Sequence, residues 1–235
     1  MDLLDRLAED PACAALLLDV DGVLAPIVPR PEDARVPEET RDELRRLHAR
    51  YALVACISGR AGGDAARIVG VPELTYVGNH GLELDRSAAE WASRLRDFLD
   101  GVTWPHVEDK GLTAALHFRT APDEAAARLE LDVIADRARE AGFVARYGRK
   151  VLELVPPLES SKGTAVSSVL EERGLHRALY AGDDTTDLDA FRALDDLELG
   201  VRVAVASDEG PAELRRAADV VVTGPGAFLT LLRRL

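Results

Sequence analysis

Two aspartates separated by a single residue, Asp19 and Asp21, follow the apolar run 14–18 and precede Gly22. A continuous apolar run is the pattern of a strand buried on both faces of a parallel sheet. In open parallel α/β sheets, ligands bind beyond the carboxyl ends of the strands, so both carboxylates should project into a crevice. Two acids placed there repel each other unless a cation or a reaction requires them. Taken alone, an ordinary strand followed by an Asp-Gly turn explains this motif equally well. A calcium-binding EF-hand loop does not, because it needs a third ligand before its glycine and a closing glutamate. Here the glycine comes immediately after Asp21, and a strand pattern rather than a helix leads in.

Reactive groups recur beyond three further apolar runs. Residues 52–57 lead into Ser58-Gly59-Arg60, residues 74–77 into Gly78-Asn79-His80-Gly81, and residues 177–181 into Gly182-Asp183-Asp184 with Asp187 close behind. Lys162 opens a helical pattern after Ser160-Ser161. Each has an ordinary explanation by itself. Ser58-Gly59 could cap a helix, Lys162 could be an exposed charge, and 183–187 could be a helix-start cluster, since acids favour that end. The conjunction favours a site: acids, a small hydroxyl and a lysine recur, in order, at positions that one α/β sheet brings together.

The elements that must position these groups alternate. After the opening strand, 37–50 reads as a helix, and 52–57 and 74–77 read as strands. From residue 162 the pattern runs helix 162–172, strand 177–181, helix 187–194, strand 201–206, helix 211–217, strand 220–222 and a last helix to Leu235. Such alternation predicts an α/β fold, a Rossmann-like, mostly parallel sheet covered on both faces. The middle differs. Helix 91–99, strands 107–110 and 113–119, helix 123–141 and a hairpin of 143–147 with 150–155 across Gly148 make an α+β unit with its own sheet. The predicted organisation is a core of 1–85 and 157–235, with 86–156 inserted as a cap that would act as a lid.

The 235 residues allow one α/β domain and a smaller module. The formal net charge of −13 lacks the basic footprint of a nucleic-acid binder and suits an anionic membrane surface poorly. An anionic substrate would need local cations and a metal to overcome that field. Cys13 and Cys56, the only cysteines, have no metal-ligand spacing and flank apolar runs, so reduced, buried thiols of a cytosolic protein are expected. Asp2 and Asp5 stand where a signal peptide carries basic residues. No apolar run approaches the roughly 20 residues of a membrane span.

These motifs resemble those of the haloacid dehalogenase superfamily of aspartyl-phosphate phosphohydrolases. Its first motif corresponds to Asp19-Val20-Asp21-Gly22, its second to Ser58, its third to Lys162 and its fourth to Gly182-Asp183-Asp184-Thr185-Thr186-Asp187. Within the superfamily the chain resembles the trehalose-6-phosphate phosphatase family. The narrowing features are Ala25-Pro26-Ile27, Ser58-Gly59-Arg60, Gly78-Asn79-His80-Gly81-Leu82-Glu83, Glu108-Asp109-Lys110, His117-Phe118-Arg119 and Lys150-Val151-Leu152-Glu153. It departs from the family pattern at Val20, usually aromatic, at Val23, usually threonine, and at Leu188, usually glutamate.

The resemblance implies a cytoplasmic, Mg²⁺-dependent phosphatase for trehalose 6-phosphate, with a functional link to a trehalose-6-phosphate synthase. It makes Asp19 the nucleophile and Asp21 the general acid and base. Ser58, Gly59 and Lys162 would bind the phosphoryl group. Asp19, the Asp21 carbonyl and Asp183 would hold Mg²⁺, with Asp187 nearby or acting through water. Arg60, Asn79, His80, Glu108, Lys110, Arg119, Lys150 and Glu153 would bind substrate, although charged residues on a strand edge are also commonplace solvated surface. Two alternatives stay open. One is another glycosyl phosphate, such as sucrose phosphate or a mannosyl- or glucosyl-phosphoglycerate. The other is a non-catalytic sugar-phosphate-binding module, which would gain nothing from the Asp19/Asp21 pair.

Overall fold

A computed structural model of the chain describes residues 2–28, 30–148, 150–208 and 210–235; Met1, Pro29, Arg149 and Glu209 lie outside the described residues. The described chain divides into two compact units, one of residues up to Gly81 and from Ser160 to Leu235, the other Leu82–Glu159.

The first unit opens with α1 (Leu3–Ala8), β1 (Ala15–Leu18), α2 (Glu38–His48), β2 (Leu53–Ile57), α3 (Gly62–Val69) and β3 (Thr75–Val77). The second contains α4 (Ala88–Leu99), β4 (Val107–Asp109), β5 (Ala114–His117), α5 (Glu124–Glu140), β6 (Val144–Gly148) and β7 (Val151–Val155). The chain then returns to the first unit with α6 (Lys162–Arg173), β8 (Arg177–Gly182), α7 (Asp187–Arg192), β9 (Leu199–Ala206), α8 (Ala212–Ala217), β10 (Val220–Thr223) and α9 (Gly224–Leu232).

The first unit holds a parallel sheet in the order β10-β9-β8-β1-β2-β3. Successive residues of a strand face opposite layers. Leu16 and Leu18 of β1 join one core layer with Val54, Leu179, Leu44 and Phe228, while Ala15 and Leu17 join the other with Ile57, Tyr180, Val166 and Phe191. Every residue of β1 and β2 is buried, which is why both read as uninterrupted apolar runs. The apolar replacements Val20 and Val23 lie in the first layer, and Leu188 packs against the second.

The second unit is an antiparallel sheet, β4-β5-β7-β6. Leu116, Leu152 and Leu154 line the face that packs with Trp91 and Leu95 of α4 and Leu131 and Ile134 of α5. Trp91 meets Phe143 edge-on, with ring centroids 5.3 Å apart. The strands' alternate residues, Glu108, His117, Arg146 and Glu153 among Ala115, Val144, Val151 and Val155, form the sheet's other face.

Two short helices, α1 and α3, go beyond the sequence expectations. Cys56 is buried as expected, but Cys13 is exposed. It ends a short Pro11–Cys13 turn before β1, so the apolar run that follows does not enclose it.

Candidate active site

The sheet order places β1 between β8 and β2, so the segments following their carboxyl ends are neighbours. The β1 ladder continues one step further, as the Asp19 N–H donates to the Ala181 carbonyl at 2.9 Å. Asp19 therefore leaves the sheet at a fixed height, and its Oδ1 accepts from the Val20 N–H at 2.7 Å. Its Oδ2 accepts from Lys162 Nζ at 2.6 Å.

Lys162 is only 3% exposed. It is the first residue of α6, whose N-cap Ser161 and Thr164 exchange side-chain and backbone hydrogen bonds in a capping box. A cation at a helix N-terminus opposes the helix dipole, and a buried cation must be paired. Both demands are met by two carboxylates, Asp19 and Asp187, each 2.6 Å from Nζ. Burial alone would lower the lysine's affinity for its proton, but these charges outweigh it and hold the ammonium well above its usual range. Burial, opposed by Lys162 and reinforced by Asp187, pushes Asp19 up to about 7.

Asp187 is fully buried and its carboxylate is saturated. Oδ1 accepts from Lys162 Nζ at 2.6 Å and from the Tyr180 hydroxyl at 2.7 Å, while Oδ2 accepts from the Asp183 and Asp184 N–H groups at 2.9 Å each. A Cβ on Gly182 would lie 2.2 Å from Asp187 Cγ, so the strand end must be glycine for this carboxylate to seat. Gly22 meets the same demand from the facing loop: its φ is +76° and a Cβ there would lie 2.1 Å from Asp183 Oδ2. Burial first, then the charges of Asp19 and Asp187, push Asp183 up to about 8.

Oxygen atoms of Asp19, Asp183 and Asp187 all lie within 4.8 Å of one another. Hard carboxylate oxygens held close, two of them on acids whose charged form the fold disfavours, fit a hard divalent cation such as Mg²⁺. Because Asp187 already accepts from four protein donors, Asp19 and Asp183 are the better placed direct ligands.

Asp21 points to different partners. Arg60 Nε donates to its Oδ2 at 2.6 Å and Nη2 to its Oδ1 at 2.8 Å, and Arg60 Nη1 also donates to Asp64 at 3.0 Å. The turn carrying Arg60 is tied to the turn after β3. Asn79 N–H donates to the Arg60 carbonyl at 2.7 Å, and His80 N–H donates to the Ser58 carbonyl at 2.9 Å. Asn79 and His80 both adopt positive φ, and the His80 ring lies 2.7 Å from where a Gly59 Cβ would sit, so Gly59 carries no side chain. Ser58 is 1% exposed and its hydroxyl accepts from the Arg60 N–H at 3.2 Å. Ser58, Gly59, Arg60, Asn79 and His80 thus form one interlocked corner.

In the second unit, strand register places Glu108, Ala115, Glu153 and Arg146 in one row across β4, β5, β7 and β6, on the face opposite Leu116 and Leu152. Glu108 Oε2 lies 3.0 Å from His117 Nε2, accepting its hydrogen bond when that ring nitrogen carries the proton, and Oε1 lies 3.9 Å from Lys110 Nζ. Glu153 pairs with Arg146 at 2.8 Å. Lys150 is drawn instead to Glu124 at the start of α5. Arg119 is exposed just past β5.

A family model described as trehalose-phosphatase matches residues 17–219. The chain belongs to the trehalose-phosphatase family. A trehalose-phosphate phosphatase of Mycobacterium avium is 36% identical over 205 residues, covering 77% of this chain and 51% of that protein. An uncharacterized glycosyl hydrolase of Mycobacterium tuberculosis is 35% identical over 212 residues, covering 80% of this chain and 16% of that protein. The chain thus spans about half the length of the first and about a sixth of the second. Among solved structures, a trehalose-6-phosphate phosphatase related protein superposes with a TM-score of 0.68 at 24% identity, covering 93% of this chain and 95% of that one. A haloacid dehalogenase-like hydrolase from Bacteroides thetaiotaomicron, with a TM-score of 0.61 at 16% identity over 94% of this chain and 98% of that one, shares the fold.

Sequence reasoning missed Asp64 and Glu124, the partners of Arg60 and Lys150, as well as Tyr180 and Arg146. Tyr180 carries a signal in retrospect: a tyrosine inside a buried strand must find a partner for its hydroxyl. Arg146 is legible only once register is known, as the basic residue directly across from Glu153.

Proposed function

We propose that this chain is a phosphatase that hydrolyses trehalose 6-phosphate to trehalose and phosphate through an aspartyl-phosphate. The observation that carries the reading is the buried Asp19–Lys162–Asp187 arrangement, with Asp183 beside it. A non-catalytic binding module has no use for a buried carboxylate held at a sheet end by a lysine.

In the first step an Asp19 oxygen forms a bond to phosphorus while the bond from phosphorus to the sugar oxygen breaks. The leaving oxygen takes a proton from Asp21, which later removes one from the water that hydrolyses the intermediate. Lys162 balances charge beside Asp19, and Ser58 and the Gly59 backbone hold phosphoryl oxygens. Asp19, Asp183 and the Asp21 carbonyl would hold Mg²⁺. When bound, this cation supplies charge neutralisation between the Asp19 carboxylate and a phosphate dianion.

We assign phosphoryl transfer to 1–85 and 157–235, and selection of the sugar to 86–156, where Glu108 and Glu153 share a sheet face and Lys110 stands beside Glu108. Groups of that kind pair with sugar hydroxyls and disfavour ligands lacking them. Such an enzyme would be cytoplasmic and supplied by a trehalose-6-phosphate synthase. Among the described residues, no helix is long and apolar enough to cross a membrane.

The deciding experiment is phosphate release from trehalose 6-phosphate, sucrose phosphate, glucosyl- and mannosyl-phosphoglycerate and sugar monophosphates, with Mg²⁺ and with EDTA. Fastest release from trehalose 6-phosphate, abolished by EDTA, is the expected result. Preference for another ester would reassign the substrate, and no release from any would overturn the enzyme.

A further inference from the structure

Tyr180 takes no part in the chemistry above, yet its hydroxyl is built into the site. The residue has no exposed surface, and its ring packs edge-on against Phe191 with centroids 6.1 Å apart. A phenylalanine would fill the same space without burying a hydroxyl, a group that costs stability unless it is bonded. Its bond is to Asp187 Oδ1 at 2.7 Å, the oxygen that also takes Lys162 Nζ at 2.6 Å. Lys162 in turn donates to Asp19 at 2.6 Å. A continuous line of hydrogen bonds runs from Tyr180 through Asp187 and Lys162 to Asp19.

A carboxylate oxygen offers about two acceptor sites. With the tyrosine hydroxyl in one of them, Lys162 is confined to the other, and the direction of its ammonium is set. The two backbone N–H donors on Oδ2 stop the carboxylate from rotating to offer a different oxygen. From this geometry we infer that Tyr180 is a positioning residue for the phosphatase site, fixing Asp187 so that Lys162 is aimed at Asp19 and at the phosphoryl group transferred to it. This rests on the phosphatase reading.

The test is Tyr180→Phe, alone and combined with Asp187→Asn, at a temperature where circular dichroism shows every variant folded. Losing a buried hydrogen bond to a charged group should lower kcat roughly 10- to 100-fold. The loss should be equal on trehalose 6-phosphate and p-nitrophenyl phosphate, with KM within about twofold, because aim matters most as charge develops. If Tyr180 acts through Asp187, adding Tyr180→Phe to Asp187→Asn should cost less than about twofold more. An active wild type with unchanged kcat in Tyr180→Phe, or full additivity in the double variant, overturns the positioning role alone. A wild type inactive on every ester overturns the phosphatase reading and the role with it.

Discussion

Arg60 grips Asp21 with two parallel hydrogen bonds, Nε to Oδ2 at 2.6 Å and Nη2 to Oδ1 at 2.8 Å. Sequence resemblance assigns Arg60 to the substrate, whereas the geometry gives its guanidinium to the carboxylate expected to move protons. The fork matches a carboxylate in a way lysine cannot. Arg60→Lys should therefore lower kcat about tenfold or more on trehalose 6-phosphate and p-nitrophenyl phosphate alike. Steady-state kinetics on both esters checks it. A loss confined to trehalose 6-phosphate would return Arg60 to the sugar.

Asp19→Asn should abolish turnover while the protein stays folded. The amide keeps the side chain's shape and an oxygen for Lys162 but is no longer an anionic nucleophile, a loss on the order of 10³-fold or more. Phosphate release within tenfold of wild type, from protein with a normal circular dichroism spectrum, would remove Asp19 from that role.

Asp183 makes metal-free stability depend on pH in a defined direction. Its carboxyl is pushed up to about 8 in the fold, against about 4 unfolded. The native state thus holds the proton where the unfolded state has released it. The associated stability is complete below about pH 4 and is lost as pH rises through about 8. In EDTA, the wild type should lose more melting temperature between pH 5.5 and 8 than Asp183→Asn does. Millimolar Mg²⁺ should restore most of the wild-type loss and little in the variant. Calorimetry showing the same pH slope for both proteins would refute the assignment.

Glu108→Ala and Glu153→Ala should separate sugar reading from phosphoryl transfer. Each removes a charged hydrogen-bonding group worth roughly 1.5–3 kcal/mol, or about 10- to 150-fold in kcat/KM, on trehalose 6-phosphate. Hydrolysis of p-nitrophenyl phosphate should change less than about threefold, because it has no sugar hydroxyls to lose. Lys162→Ala should damage both substrates. Equal losses from the glutamate variants would make those carboxylates supports of the small sheet.

The strand ends were readable because β1 and β2 are buried on both faces, so hydrophobicity breaks off where the sheet does. Helices α1 and α3 were not: α1 precedes the first strand, where no alternation asks for a helix, and α3 opens on Gly62-Gly63, which reads as a loop. Order along the chain put Asp19, Lys162, Asp183 and Asp187 at one sheet end, and their side chains lie close together there. Which partner each side chain takes was beyond its reach. Nothing in the spelling of the chain shows that Asp187 accepts four hydrogen bonds, that Asp21 turns to Arg60, or that Lys150 turns to Glu124. Those choices depend on side-chain torsions and on register.

Where the chain leaves the parallel-sheet unit after Gly81 and re-enters at Ser160, the two crossing points are stitched together inside that unit. Ser160 Oγ donates to the His80 carbonyl at 2.9 Å, and Gly81 sits so close to Ser160, Ser161 and Ala165 that a Cβ would come within 2.8 Å of a neighbour. The ends of the insertion are therefore pinned side by side whatever lies between them. Closing a longer loop across a fixed neck costs only about 0.6 kcal/mol per doubling of its length. The parallel-sheet unit has in effect a socket, into which evolution or an engineer could plug a different module without redesigning the strand ends that carry Asp19 and Lys162.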